Sequence, residues 1–187
     1  MNKGKLIIIS APSGCGKGTI VKALMERYPD FRFSVSATTR NPRNKEVHGK
    51  DYYFVSQERF MEMVEENAFL EHAIYTDACY GTPQKPVDDM LEQGYNVLLD
   101  IEVQGAFQVK EKRPDTLSIF LLPPSFEELE RRLVLRGTDS PEKIAKRLET
   151  ARIEIPLAPR FDHQVVNDDL AVCLQQVSEI IDKYINS

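Results

Sequence analysis

A three-layer α/β/α fold with a parallel-sheet core is what this chain predicts, on three observations. Short apolar runs rich in β-branched residues recur at positions 5–10, 96–99, 117–122 and 164–166, the pattern of strands buried on both faces of a parallel sheet. Segments of helical spacing lie between them, and strands alternating with helices place helices on both sides of such a sheet. Residues 33–83 break this rhythm with short alternating strands and turn signals, and are predicted to form an inserted mixed α/β lobe. A chain of 187 residues is long enough for one well-buried core carrying such an insertion.

Lys5-Leu6-Ile7-Ile8-Ile9-Ser10 ends in a glycine-rich turn, after which Ile20, Ala23, Leu24 and Arg27 keep helical spacing up to the break at Pro29. Within the insertion, strands are expected at 33–36 and 52–55, with turns at Asn41-Pro42 and His48-Gly49. Ser125 with Glu128 makes a capping box that opens a helix carrying Leu129 and Leu133 on one face. Ser140 and Pro141 read as the N-cap and first residue of another helix, with Ile144, Leu148 and Ala151 turned inward. Asp168 or Asp169 starts the last one, whose stripe is Leu170, Leu174, Val177 and Ile181.

Several classes are excluded early. The longest apolar runs, such as 6–9, are far too short to span a bilayer. Met1-Asn2-Lys3-Gly4-Lys5 lacks the apolar region and cleavage site of a secretory signal, so a cytoplasmic protein is expected. Cys15, Cys79 and Cys173 are scattered, odd in number and without a C-x-x-C pair, which argues against a disulfide framework and a structural zinc. A formal net charge of −5 speaks against duplex nucleic acid as a partner, though a local basic patch can still bind phosphates.

The turn after the first strand carries the chemistry. Ala11, Pro12, Ser13, Gly14, Cys15, Gly16, Lys17, Gly18 and Thr19 stand between a strand and a helix. Glycines there let backbone N–H groups turn inward around phosphate oxygens at the positive end of a helix, with Lys17 as a mobile charge for the outer phosphates. The pattern approximates G-x-x-x-x-G-K-[ST], with Ala11 for the leading glycine and Gly18 where the magnesium-binding hydroxyl usually stands; Thr19 follows one step later. Cys15 fills a variable position of the loop and reads either as a passive spacer or as a thiol whose pKa the amide donors lower. The insertion gathers Arg40, Arg43, Lys45, Lys50 and Tyr52, either a solvated face or a phosphate grip. Asp100 ends a buried strand at the carboxyl edge of the sheet, where it orients hydrated magnesium, contacts a base, or merely caps a turn.

Ser36-Ala37-Thr38-Thr39-Arg40-Asn41-Pro42-Arg43, Glu46, Gly49-Lys50-Asp51-Tyr52, Phe69-Leu70-Glu71-His72-Ala73, Tyr80-Gly81-Thr82 and Leu99-Asp100-Ile101-Glu102-Val103-Gln104-Gly105-Ala106 together resemble guanylate kinase, a P-loop nucleoside monophosphate kinase family. Arg132 through Gly137-Thr138, Arg147-Leu148 and Val166-Asn167-Asp168 extend the resemblance over nearly the whole chain. It implies a P-loop core of residues 1–35, 84–136 and 153–187, a GMP-binding lobe of 36–83 and a lid of 137–152.

By that resemblance Arg40, Arg43, Tyr52 and Tyr80 hold the GMP phosphate, and two guanidinium forks suit a dianion better than lysines would. Glu71 accepts the guanine N1–H and N2–H₂ donors, with the Ser36 and Thr82 hydroxyls completing the base pocket. Arg136 and Arg147, beside Arg132, close over the transferring phosphoryl group, and Asn167 lies near the adenine of ATP. Arg131, Lys146 and Arg152 read as solvated helix charges. Glu102 stands where many relatives carry aspartate. The reaction implied is ATP + GMP → ADP + GDP with Mg²⁺, in which dGMP is an expected alternative acceptor. No residue is assured as a direct ligand of the ion: either Thr19 helps to hold it, or it is held largely through water, with Thr19 and Asp100 as the residues in question. Two other readings are a catalytically silent protein-binding module of the same fold, and a P-loop kinase for a different phosphorylated acceptor. The retained Lys17 and the full arginine set speak against the first.

Overall fold

In the structure, a computed structural model, residues 3–74, 77–137 and 139–187 are described. Thr138, part of the arginine-bearing segment and of the expected lid, lies outside them, as do Met1 and Asn2. Contacts divide the chain into two compact units, one of Met1–Leu6, Phe31–Leu98 and Gln104–Thr116, the other of Ile7–Asp30, Leu99–Val103 and Leu117–Ser187.

The all-apolar run predicted first is strand β1 (Leu6–Ser10), buried along its whole length. It runs parallel to β8 (Leu117–Leu122), with Ile7 opposite Leu117, and β8 runs parallel to β9 (His163–Val166). β2 (Phe31–Phe33) pairs in parallel with β7 (Asn96–Asp100). The resulting sheet has the order β2-β7-β1-β8-β9. Helix α1 (Lys17–Arg27) follows β1 and buries Ile20, Val21 and Leu24. α5 (Phe126–Leu135) and α6 (Pro141–Glu154) begin where Ser125 and Ser140 were expected to cap them, each hydroxyl accepting from the N–H three residues on. Asp169, not Asp168, caps α7 (Leu170–Ile185).

Three helical expectations are corrected in detail. Glu128 does not complete its capping box with its side chain, because Arg131 and Arg132 take its carboxylate at 2.7 and 2.8 Å. On α7 the buried seam is Cys173, Val177, Ser178 and Ile181, while Leu170 at the first turn is exposed. Of the inward residues expected on α6 only Ala151 is fully buried, with Ile144 and Leu148 half-buried.

The unit that contains residues 31–98 also holds a second sheet, of order β4-β3-β6-β5. The strand expected at 33–36 straddles the point where the chain leaves one sheet for the other. β2 stops at Phe33, and β3 (Ala37–Thr38) begins the second sheet beside β4 (Tyr53–Phe54). β5 (Phe69–Ile74) and β6 (Cys79–Pro83) form an antiparallel pair that propensity conceals, since Gly81 and Pro83 are poor strand formers. β5 is an edge strand. α4 (Val103–Lys112) covers it: Gln108 exchanges two 3.0 Å bonds with the His72 backbone, and the Lys112 ammonium donates to the Phe69 carbonyl at 2.6 Å.

α2 (Gln57–Glu65), capped by Ser56, turns Phe60 into a small core with Ala37, Phe69 and Cys79. The Phe60 and Phe69 rings lie 4.7 Å apart and both are essentially inaccessible to solvent. Because Phe60 is fully buried in this cluster, with Tyr53, Val55, Met63 and Val64 packed against it, Phe60→Ala should destabilise the protein by about 3–5 kcal/mol, and Phe60→Leu by roughly 1.5 kcal/mol or less. Urea unfolding midpoints of the two variants check this.

Candidate active site

Around the phosphate loop the backbone is arranged for anions. Gly16 takes a left-handed conformation, φ 87°, just before α1, and no side chain caps that helix. By contrast Ser56, Ser125, Ser140 and Asp169 each cap their helices. The first N–H groups of α1 are therefore left to a ligand at the positive end of the helix dipole. A Cβ on Gly16 would also stand 2.7 Å from the Asn167 amide nitrogen, so glycine is required twice over. Asn167 is buried and donates to the Cys15 carbonyl at 2.7 Å. Arg132 in turn donates to the Asn167 carbonyl at 2.8 Å and to Glu128 at 2.8 Å.

Loop and neighbours line a cavity of about 660 Å³, with Lys17, Glu102, Arg132, Arg136 and Glu154 on its walls. The Lys17 ammonium is 2.6 Å from Asp100 at the end of β7 and donates to the Ile101 carbonyl at 3.5 Å. Arg147, on α6, donates to the Ser13 hydroxyl at 2.9 Å and pairs with Asp139 at 3.4 Å. Gly18 and Thr19 sit exposed in the first turn of α1, where a Cβ on Gly18 would meet open space.

Of the two readings of Cys15, the structure agrees with the passive spacer and not with the acidified thiol. Its thiol is buried, pointing to the Leu121 carbonyl at 3.6 Å, and burial pushes its pKa up to about 12 despite nearby Arg132. The loop amides do not lower it.

In the other unit, Glu71 on β5 is only 8 % exposed. Thr82, its cross-strand neighbour on β6, donates its hydroxyl to one carboxylate oxygen at 2.6 Å. Gly105, in the first turn of α4, makes room for the other oxygen: a Cβ there would come within 2.7 Å of it. Gly105 was not read as a site residue, although a glycine inside a helix, which costs stability relative to alanine, is a signal of close approach. Ser36 is half-buried just before β3, and its carbonyl accepts from Tyr53 at 2.8 Å. Arg40 lies over the Tyr52 ring, 4.9 Å from its centroid, and Tyr52 meets Tyr80 edge-on at 6.2 Å. Arg43 is exposed beside them in sequence. Arg40, Tyr52 and Tyr80, three of the residues expected at the phosphate end, thus lie together, while Glu71 and Thr82 form a distinct buried pair.

A family model described as "Guanylate kinase" matches residues 3–184. The chain belongs to the guanylate kinase family. It is 51 % identical over 174 residues to the guanylate kinase of Nostoc sp., covering 93 % of this chain and 87 % of that one. Against the guanylate kinase of Trichodesmium erythraeum it is 50 % identical over 181 residues, 97 % of either chain. A crystal structure of guanylate kinase from Anaplasma phagocytophilum superposes with a TM-score of 0.77 at 34 % identity, covering 100 % of this chain and 88 % of that one. The α/β architecture with its parallel core agrees with that fold.

One wall residue gives a pH-dependent expectation. Burial, with a smaller push from Glu102, raises the Glu154 carboxyl to about 7, while Lys17 opposes the shift. Its folded pKa lies above the unfolded value near 4.5, so its stabilising contribution is whole below that pH and is lost as pH rises through about 7. A shift of this size corresponds to about 3 kcal/mol at most, and partial solvent exposure reduces it to about 1–2 kcal/mol. Glu154→Gln should therefore be more stable than the parent by that amount at pH 8 and indistinguishable from it at about pH 4 and below, as read by urea unfolding at the two pH values.

Proposed function

We propose that this chain is a guanylate kinase that transfers the γ-phosphoryl group of ATP to GMP, giving ADP and GDP, and that the buried Glu71–Thr82 pair selects the guanine. That pair carries the assignment. A buried carboxylate can accept from several donors at once, and guanine presents an adjacent N1–H and N2–H₂ where adenine has none. Ser36 completes the base site, and Arg40, Arg43, Tyr52 and Tyr80 bind the acceptor phosphate. Residues 36–83 are the acceptor lobe and 137–152 the lid, on the P-loop core of the remaining residues.

ATP lies with its phosphates on the backbone from Ala11 to Thr19, and Asn167 lies toward the adenine end. No general base is needed, since the attacking GMP phosphate oxygen is already anionic. The protein's work is to align two polyanions, exclude water and neutralise charge on the moving group. Lys17 reaches the outer phosphates, and Arg136 and Arg147, with Arg132 behind them, face the transferring group. Among the described residues no three His, Cys, Asp or Glu side chains converge as a metal cage. This donor set fits an ion that arrives with ATP and is held by phosphates and water, with Thr19 and Asp100 in reach only through water. Mg²⁺ bound in that way would neutralise the β- and γ-phosphate oxygens. Among the described residues no helix is long and apolar enough to cross a membrane; with ATP as donor, we assign the activity to the cytoplasm.

A coupled assay of ADP formation, with GMP, dGMP, AMP, UMP and CMP offered in turn, tests the proposal. GMP should be turned over with a kcat/KM on the order of 10⁴-fold above AMP, and absence of turnover with every acceptor would overturn it. Lys17→Met should lower kcat by roughly 10²–10³-fold while the folded state survives, because Lys17 is a partly exposed side chain. Glu71→Gln should lower the GMP/AMP ratio by at least about 10-fold; an unchanged ratio removes Glu71 from the base site.

A further inference from the structure

Arg40 is already engaged before any phosphate reaches it. Its two terminal nitrogens donate to the two oxygens of Glu46, each at 2.7 Å, and one of them also reaches the Asn41 carbonyl at 3.0 Å. We propose that Glu46 is a positioning residue that holds Arg40 in the orientation in which its remaining edge meets the acceptor phosphate. The inference rests on GMP being the acceptor.

A guanidinium has five N–H donors in one plane. With the end-on pair given to Glu46 and one further donor to Asn41, the side-on edge formed by Nε and the second terminal N–H is left to Tyr80 and the acceptor phosphate. A guanidinium edge of this kind is a fork suited to phosphate oxygens. The plane is also supported from the side, since the guanidinium carbon lies 4.9 Å from the Tyr52 ring centroid and 5.7 Å from that of Phe54. Tyr80, the other phosphate-binding tyrosine of the proposal, interacts with the same guanidinium.

The turn is folded around this carboxylate. Glu46 also accepts the Arg43 backbone N–H at 2.7 Å, and its own N–H returns to the Arg43 carbonyl at 3.1 Å. Lys45, just before it, takes φ 75°, a left-handed conformation rare for a residue with a side chain. One carboxylate therefore ties together the two arginines predicted to grip the phosphate. Its bond to the Arg43 backbone keeps it in place when the phosphate binds, so it is a support for Arg40 rather than a stand-in that the phosphate displaces. Arg40, followed by the Arg43 N–H, holds the Glu46 carboxyl down to about 2, so it is charged throughout the pH range of an assay.

The test is the kinetics of Glu46→Ala and Glu46→Gln, the second retaining an acceptor for the Arg43 N–H should the first disturb the turn. KM for GMP should rise on the order of 10-fold or more, with KM for ATP and kcat within about 2-fold of the parent. In an Arg40→Ala background Glu46→Gln, which keeps an acceptor for the Arg43 N–H, should add nothing. A lowered KM for GMP would make Glu46 a competitor and overturn the proposal. So would an unchanged KM, equal shifts for both substrates, or full additivity with Arg40→Ala. Failure of the parent protein to turn over GMP would remove the acceptor assignment as well, whereas parent turnover with an unaltered Glu46→Gln variant removes only the positioning role.

Discussion

The bond from the Asn167 amide to the Cys15 carbonyl, 2.7 Å long, braces the phosphate loop from the segment after β9, and much of the site follows from it. Gly16 must be glycine because the brace passes where a Cβ would stand. Arg132 holds the brace itself through the Asn167 carbonyl. With the loop fixed from behind by these side chains, α1 dispenses with a cap of its own, and its leading N–H groups stay available for anions. A sequence feature that looks like a missing cap is thereby a property of the fold: the order that a capping serine would give is supplied by residues more than a hundred positions away.

An acidic protein that handles two polyanions must concentrate its positive charge locally, and each unit does so with the same device. Lys17 is set by Asp100, Arg132 by Glu128, Arg147 by Asp139 and Arg40 by Glu46. Each carboxylate removes part of the net attraction for a phosphate, but fixes the direction in which the cation points. Transition-state stabilisation depends on dipoles and charges that need not reorganise during the reaction, so the exchange favours catalysis over raw affinity.

Local pattern carried the core and the loop into view. A run such as Leu6–Ser10 reads as a strand covered on both faces because it is short, rich in isoleucine and followed at once by a glycine-rich turn. Ser125 and Ser140 likewise announce their helices through a bond made within four residues. What stayed hidden depends on partners remote in sequence. β5 and β6 contain Gly81 and Pro83, and exist through pairing rather than propensity. Gly105 matters because Glu71 comes to lie against it. The Cys15 thiol follows the direction its side chain takes: toward the Leu121 carbonyl in the interior, out of reach of the amides that would have acidified it. At the site, the motif residues were legible as a set, Asp100 and Glu46 among them, while the ion pairs these two make with Lys17 and Arg40 were not, since charge pairing leaves no periodic trace.

The Lys17–Asp100 pair has a kinetic side. A lysine already 2.6 Å from a carboxylate and bonded to the Ile101 carbonyl does not meet a nucleotide as a bare cation. In the proposed reaction it would trade one anion for another on binding, with a net gain equal to the difference between two ion pairs. When the spent nucleotide left, Asp100 would be at hand to receive the ammonium, so departure would uncover no unpaired charge. Such an arrangement loosens the hold on product as well as substrate, and so works against the slow release of a nucleotide once its phosphoryl group has gone.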